Sequence, residues 1–501
     1  MHERARARIL TWLAATGIGA SALIMIALSL LRDSWGYPPI VLPAGGPPWD
    51  LPPEHVSLAA ATVLLWIAVI AGTGGIIAGL AAISRGARPS LRWPLITAAI
   101  VVAVLTVLPP AGSTDAFDYA AYGRIMVLGH SPYLMTPYHL RLTHDALARS
   151  VPVVWQHLAS VYGPLATVEQ FLAAKLGGTS AARITFWLKL WNSAAFALVA
   201  LAADRLLRSD PARRLRAHLL WTANPLLWWD IIAAGHLDVL AAAAGVAGLL
   251  VLGQQPALSP PSLPRLLACG ALIGIAADVK ANYALFGLGV AWALRRSPAS
   301  LAAAAGAALA VAAPGYAWFG MPAVRALASR SDQASAGTFY DLFTTSGSRS
   351  HLGLIAAGLV LVVAVLALRR LPAGMPDRPA LRPALAVSVA WMLFWPYQYP
   401  WYAVMVLCLL ALYPPSRLDW LVLAPVAAGT ISAPLGIPGA SLGRAADLIH
   451  GLSVRVLSPL VLLAAAGGLV ALCLSGRWQP HNPEADPGPP SACPCSPRTT
   501  A

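Results

Sequence analysis

The sequence has few charged residues and few cysteines. Charged side chains make up 11% of its 501 residues, and only 20 residues are acidic, well below the usage of an ordinary soluble domain. The five cysteines are scattered, so neither a disulfide framework nor a zinc-ligand spacing is present. Walker, dinucleotide-binding, nucleophile-elbow and His-Glu-x-x-His motifs are also missing. These absences argue against a nucleotide-driven pump and against a membrane metalloprotease.

Hydrophobic residues dominate the sequence instead. They make up 58% of the chain, and the mean hydropathy is +0.67. Apolar runs of about 16 to 25 residues recur along the chain, which is the length that crosses a bilayer as a helix. The sequence therefore predicts an all-α polytopic membrane protein with about 11–14 transmembrane helices. The formal charge of +14 comes from arginines in short loops, which is typical of a membrane orientation signal and not of a nucleic-acid site.

The arginine distribution also predicts which loops face the cytoplasm. The basic residues before the first run and those at 85–92 indicate a cytoplasmic N-terminus, so the third run emerges on the extracytoplasmic side. We predict a transmembrane domain over 1–478, with a long outer loop at 109–163 and a second outer loop at 321–350. The Pro/Ser-rich segment 479–501 is predicted to be a disordered cytoplasmic tail. The expected location is the inner (plasma) membrane.

Two apolar segments deviate from the simple pattern of spans. Residues 165–176 are short for a span, and a crossing there would place the arginines of 205–216 outside, so we expect this segment to lie in the interface. Residues 266–294 resemble two short helices that meet at 278–282. A break of this kind at membrane depth is tolerated where it is buried in protein or lines a wet cavity.

Two carboxylates follow directly after the third apolar run. If their segment is helical, Asp115 and Asp118 lie three residues apart on one face, with Tyr119 and Tyr122 beside them. One interpretation is an N-cap that starts an interfacial helix, with Asp118 complementing the helix dipole. The other is a catalytic pair on the extracytoplasmic face. The residue types alone leave both open.

Further polar and aromatic residues fall at the same predicted outer boundary. Ionisable residues at membrane depth are costly, so a functional role is the default hypothesis for them. Structural alternatives exist for three of these features. Asp238 could cap a returning helix, and Lys280 could snorkel or pair with Asp278. The strip 395–402 could be an interfacial belt, where the functional alternative is a sugar-stacking surface. The candidates at this boundary are Tyr162, Asp230, His236, Asp238, Lys280, Gln398, Trp401 and Tyr402.

Several short motifs occur in a characteristic order. They are Ser113-Thr114-Asp115 with Tyr119, Gly129-His130-Ser131-Pro132-Tyr133, Tyr162-Gly163-Pro164-Leu165, Asn224-Pro225-Leu226 with Gly235-His236-Leu237-Asp238, then Lys280 and Tyr399-Pro400-Trp401-Tyr402. Their order and spacing resemble the GT-C superfamily of polyprenyl-phosphate-sugar-dependent glycosyltransferases, and most of all the actinobacterial polyprenol-phosphomannose-dependent α-1,6-mannosyltransferases. Two positions depart from the family pattern, since Thr114 replaces a basic residue and Leu237 replaces an Asn.

The resemblance implies a fold, a reaction and a set of site residues. The implied fold is a GT-C-type bundle with interfacial helices in the long first outer loop. The implied reaction moves a sugar, expected to be mannose, from a polyprenyl-phosphate carrier to a hydroxyl of a cell-envelope glycolipid or polysaccharide of lipomannan type, with inversion. Asp115 is the expected base and Asp118 an orienting carboxylate. The expected substrate-binding residues are Tyr119, Tyr122, Tyr162, His236, Asp238, Lys280, Arg349, Gln398, Trp401 and Tyr402.

The chemistry of this reaction class needs no cofactor. A carboxylate base and nearby cationic or hydrogen-bonding groups suffice, because the sugar already carries its leaving group. A divalent cation between Asp115 and Asp118 is left open, but the sequence supplies no dedicated metal cage. The alternative function is a secondary transporter or a flippase. The clustering of polar residues on one face and not at the midplane disfavours that alternative.

Overall fold

The computed structural model describes residues 2–31, 56–253, 261–328, 333–343, 351–372, 374–375, 377–433 and 441–478, and all regular secondary structure in these ranges is helical. This confirms the predicted all-α class. The first part of the chain forms helices α1 (His2–Leu30), α2 (Leu58–Ser84), α3 (Arg92–Val107), α4 (Asp115–Val127), α5 (Pro137–Leu142), α6 (Pro164–Gly177) and α7 (Ala181–Leu206).

The remaining helices follow with few long connections. The middle of the chain forms α8 (Pro211–Leu220), α9 (Pro225–Leu227), α10 (Asp238–Leu252), α11 (Leu263–Val279), α12 (Leu285–Leu294), α13 (Pro298–Phe319), α14 (Met321–Ala328) and α15 (Phe339–Phe343). The last part forms α16 (Leu352–Arg370), α17 (Leu381–Phe394), α18 (Val404–Leu410), α19 (Leu418–Ser432), α20 (Arg444–Leu452) and α21 (Ser458–Ser475).

Six helices of the described ranges are long and apolar enough to cross a bilayer, so the chain is a multi-pass membrane protein. They are α1, α2, α7, α13, α16 and the continuous stretch Arg444–Ser475. The pair Pro211–Ala233 and Asp238–Leu252, bent by 118°, is a candidate seventh span, and five further apolar helices have 10–17 residues. The predicted total of about 11–14 spans requires the shorter helices to cross as well, and it stays a prediction.

Small residues bring α11 and α13 into close contact. A Cβ added at Gly270 would lie 2.0 Å from the carbonyl oxygen of Ala304, and one added at Gly274 would lie 2.6 Å from that of Ala308. The two glycines are four residues apart, so they lie on one face of α11 and let the two backbones approach. This packing fixes the end of α11 that leads into the site.

Three helix breaks meet near the N-terminus of α4. A π-helical turn over Trp228–Ala233 leads into Gly235, which has φ +78°, before α10 begins. The predicted break in 266–294 is confirmed, since α11 ends at Val279 and a 3-10 turn over Ala281–Ala284 precedes α12. A second 3-10 turn, Pro400–Ala403, precedes α18. Each break directs polar or aromatic side chains out of the regular helix pattern.

The predicted second outer loop contains helical structure. Within 321–350, α14 covers Met321–Ala328 and α15 covers Phe339–Phe343. Helix α14 forms because its apolar residues Met321, Val324 and Leu327 recur at three-residue spacing along one face. Whether α6 lies in the membrane interface, as its length suggests, stays a prediction.

Candidate active site

A cavity of about 1480 Å³ has Asp115 and Lys280 in its wall. Six of the residues selected from the sequence line it: Asp115, Tyr162, Lys280, Gln398, Trp401 and Tyr402. Four segments far apart in the sequence therefore contribute to one wall. The other selected residues of the described ranges do not line the cavity; they are Asp118, Tyr119, Tyr122, Asp230, His236 and Asp238. Arg349 lies outside the described residues.

Asp115 is the first residue of α4, and its carboxylate reaches the cavity. The preceding Ser113 hydroxyl accepts a hydrogen bond from the Asp115 backbone N–H at 3.2 Å, and the N-cap position is Thr114. The side chain of Asp115 is 20% exposed. Burial raises its pKa to about 6, while Lys280 and the hydroxyls of Ser113 and Tyr119 favour the ionised form. Asp115 is therefore a carboxylate that is ionised at neutral pH and can take up a proton.

Asp118 lies one turn further along α4 and is buried. Burial and the adjacent charge of Asp115 raise its pKa well above the usual range, so the two carboxyls do not both ionise readily. Oδ1 of Asp118 has no hydrogen-bond partner among the described residues, and the side chain does not line the cavity. In the described part of the chain, no group of three or more His, Cys, Asp or Glu residues could hold a metal ion.

Lys280 forms an ion pair with the buried carboxylate of Asp238. Its ammonium lies 2.8 and 2.7 Å from the two carboxylate oxygens and 4.0 Å from the ring centroid of Tyr402. Asp238 is fully buried, and the N-cap of α10 is Leu237. Lys280 therefore does not pair with Asp278, and Asp238 does not occupy the N-cap position of α10. The ammonium also acts electrostatically on Asp115.

A group of hydroxyls and one imidazole lies behind Asp115. The Tyr162 hydroxyl donates to the Tyr119 hydroxyl at 3.3 Å, and Tyr119 Oη lies 3.3 Å from Nδ1 of His236. The same Nδ1 is 3.7 Å from Oδ2 of Asp115. Tyr122 points elsewhere, since its hydroxyl donates to the carbonyl of Leu158 at 3.2 Å.

The aromatic strip 395–402 turns into the cavity and does not form only an outward belt. The indole of Trp401 is nearly parallel to the rings of His236 and Tyr399, with centroids 4.0 and 4.6 Å away. At these distances the two rings must cover opposite faces of the indole, so neither face of Trp401 is free to stack on a sugar. Gln398 is held by Ser335, whose Oγ accepts from its backbone N–H at 2.7 Å, and by its own side-chain bond to the carbonyl of Trp391.

The Tyr-Gly-Pro-Leu motif joins the start of α6 to the end of α11. A Cβ at Gly163 would lie 1.7 Å from the carbonyl oxygen of Asp278, so only glycine allows this approach. The Asp278 carboxylate accepts a hydrogen bond from the backbone N–H of Leu165, and the Tyr133 hydroxyl donates to the carbonyl of Tyr162 at 2.8 Å. These contacts fix Tyr162 and Lys280, which flank the junction on the cavity side.

An apolar groove extends the cavity along α12, α16 and α17. Its walls consist mainly of aliphatic side chains, among them Leu288, Ala291, Val360, Leu361, Ala364, Val365, Leu368 and Val387. From Leu285 to Arg295 it follows about 15 Å of α12. Lys280 therefore lies at one end of the groove and Arg295 at the other.

The cavity wall also contains residues that sequence reasoning did not select. Trp155 donates from Nε1 to the Thr114 hydroxyl at 3.1 Å, and Asn282 and Tyr399 lie beside Lys280 and Trp401 in the wall. Tyr399 belongs to a motif that was noted, so its position could have been found. Trp155 lies in the long outer loop with no local pattern that marks it.

A family model described as "Alpha-(1->6)-mannopyranosyltransferase, N-terminal domain" matches residues 15–297. The chain belongs to this family. The matched stretch is more than half of the 501 residues and includes Asp115, His236, Asp238 and Lys280. The strip 395–402 lies beyond it. The family expected from the motifs is thus confirmed.

Curated relatives carry the same family name. A "probable alpha-(1->6)-mannopyranosyltransferase" of Mycolicibacterium smegmatis is 32% identical over 171 residues, which are 33% of this chain and 29% of the relative. Alpha-(1->6)-mannopyranosyltransferase B of Corynebacterium glutamicum is 29% identical over 234 residues, 43% of this chain and 36% of the relative. The matched stretches thus span about a third of these relatives.

One solved structure is similar over much of the chain. It is ArnT from Cupriavidus metallidurans bound to undecaprenyl phosphate, with 15% identity, a TM-score of 0.41 and 77% of each chain covered.

Proposed function

We propose that this protein is an inverting membrane mannosyltransferase that takes mannose from a polyprenyl-phosphate carrier. The observation that supports it most is the position of Asp115: a carboxylate of raised pKa in the wall of a cavity that continues into an apolar groove. A hydroxyl acceptor needs a base of this kind, and an isoprenoid chain needs a groove of this kind. Membership in the mannopyranosyltransferase family supports mannose as the sugar and an α-1,6 linkage.

The reaction is a single displacement at the anomeric carbon. The acceptor hydroxyl oxygen forms a bond to C1 of the mannose, and the bond from C1 to the phosphate oxygen breaks. The hydroxyl proton passes to Asp115, and the polyprenyl phosphate leaves with the electron pair. Attack from the opposite face converts a β-linked carrier sugar into an α-mannoside. No cofactor takes part in this step, and a divalent cation is not required by it.

Lys280 is the proposed contact for the carrier phosphate. It is the cation nearest to Asp115 among the described lining residues, and it lies where the groove meets the polar end of the cavity. Its two bonds to Asp238 orient the ammonium, and an ammonium has a third N–H donor, which is the one proposed to bind the phosphate. A charge-assisted bond to phosphate contributes about 1.5–3 kcal/mol.

The proposed site faces the extracytoplasmic side of the inner membrane. The arginine distribution supports an outer position for Asp115, where cytoplasmic nucleotide sugars are not present. A lipid carrier can provide the sugar on this side of the membrane, because its phosphate lies at the headgroup level while its tail stays in hydrocarbon. The acceptor is proposed to be a cell-envelope glycolipid or polysaccharide.

The donor can be tested with purified protein in detergent. We expect mannose transfer to an α-mannoside acceptor from polyprenyl-phosphate mannose, and none from GDP-mannose without a lipid carrier. Transfer from GDP-mannose alone would refute the proposal.

The groove can be tested with a matched pair of variants on α16. Ala364→Trp fills the groove and should raise the donor KM about tenfold or more, since a bulky side chain displaces the carrier tail. Val362→Trp, on an exposed position of the same helix, should leave the donor KM unchanged. Equal effects of the two variants would show that the groove does not bind the carrier.

A further inference from the structure

An imidazole lies directly behind the proposed base. His236 is fully buried and does not line the cavity, so it has no access to the carrier phosphate. Its Nδ1 lies 3.7 Å from Oδ2 of Asp115 and 3.3 Å from the Tyr119 hydroxyl. The positive φ of Gly235 turns the chain so that His236 points at α4 and not along α10. The geometry connects His236 to the base and not to the substrate.

The hydrogen-bond directions define the tautomer of His236. Tyr162 donates to the Tyr119 oxygen, and the single Tyr119 proton is directed to the Asp115 carboxylate. With its own proton directed at Asp115, the Tyr119 oxygen is left as the acceptor for Nδ1, and we therefore assign the proton of His236 to Nδ1. Burial lowers the pKa of His236 well below its usual range, so the ring is neutral. His236 is therefore a neutral N–H donor next to Asp115.

The plane of this imidazole is fixed by stacking. Trp401 covers it at 4.0 Å with an angle of 16° between the planes, and Tyr399 covers the other face of Trp401. A ring held in this way keeps its N–H directed at α4, which is how a supporting residue pre-organises a base.

We propose that His236 is a positioning residue that, with Tyr119, holds the Asp115 carboxylate toward the cavity and stabilises its ionised form. This inference rests on the proposed function, in which Asp115 is the base. The other groups that face the Asp115 carboxylate either favour or oppose its ionised form. An ammonium and hydroxyls favour it, and neighbouring carboxylates oppose it. They are Ser113, Asp118 and Tyr119 on or next to α4, Asp238 at the start of α10, Tyr162 before α6, Lys280 after α11, and Tyr402.

Two substitutions separate the N–H group from the aromatic ring. His236→Phe keeps a ring against Trp401 but removes the donor, whereas His236→Asn places an amide nitrogen near the position of Nδ1 and removes the stack. We expect the acidic limb of kcat/KM to move upward by about one pH unit in the Phe variant, because the Tyr119 oxygen loses the N–H donor that keeps the Tyr119 hydroxyl proton directed at the carboxylate. In the Asn variant, the acidic limb of kcat/KM should lie near its wild-type position.

The carrier provides a control. Binding of polyprenyl phosphate without sugar, measured on the same folded preparations, should be unchanged in both variants. An unshifted profile in the Phe variant would overturn the inference, as would equal shifts in both variants, which would indicate a packing role for the ring. Weakened polyprenyl phosphate binding would place His236 on the phosphate instead.

Failure of the proposed function itself looks different. In that case Asp115→Asn would retain turnover, or the wild-type protein would not use lipid-linked mannose at all.

Discussion

The ion pair between Lys280 and Asp238 gives a prediction that separates stability from substrate binding. Lys280→Met keeps the apolar stem and removes the ammonium, which leaves the fully buried Asp238 carboxylate without its counter-charge. Breaking a buried pair on one side costs about 3–5 kcal/mol. We expect a loss of this order in the free energy of unfolding, measured by denaturant titration in detergent micelles.

The double variant Lys280→Met with Asp238→Asn tests the reason for that loss. Removing both charges should recover most of the stability, so the two substitutions should be strongly non-additive. If Lys280 also binds the carrier phosphate, the stable double variant should still show a donor KM raised about tenfold to a hundredfold. A single variant as stable as the wild type would refute the ion-pair argument. A double variant with wild-type donor KM would refute the phosphate contact.

Two further predictions concern pH and topology. Because the base must be ionised and the pKa of Asp115 is about 6, kcat/KM should be about tenfold lower at pH 5 than at pH 7; a flat profile over this range would indicate an unperturbed carboxylate or another base. In a chain whose native cysteines are replaced, His130→Cys should react with a membrane-impermeant thiol reagent from the extracytoplasmic side and Ser209→Cys should not; the opposite labelling would reverse the proposed orientation.

The sequence predicted the helix break within 266–294 because polar residues interrupt an apolar run there. Asp278 and Lys280 stand out between two apolar stretches, and the break appears between α11 and α12. The helical segment beginning at Asp115 was predictable in the same way, from its small and aromatic residues after a proline pair. Local patterns of this kind depend on neighbours within a few turns, and a single sequence contains them.

The partners of the site residues were not predictable, because they come from distant segments. Lys280 pairs with Asp238, 42 residues away, and not with Asp278, two residues away. Residues two apart in a helix point in different directions, and Lys280 has already left the helix. His236 was expected among the substrate-binding residues, yet its position behind Asp115 depends on how α4 and α10 pack. No periodicity in either segment predicts the contact between His236 and Asp115.

The most direct test of the account is the conservative substitution of the base. Asp115→Asn preserves size and removes the carboxylate that accepts the acceptor's proton. The account predicts that this variant binds polyprenyl phosphate as the wild type does, while mannose transfer from polyprenyl-phosphate mannose falls by about a hundredfold or more. An Asn variant that binds the carrier and transfers mannose at a near-normal rate would contradict the account.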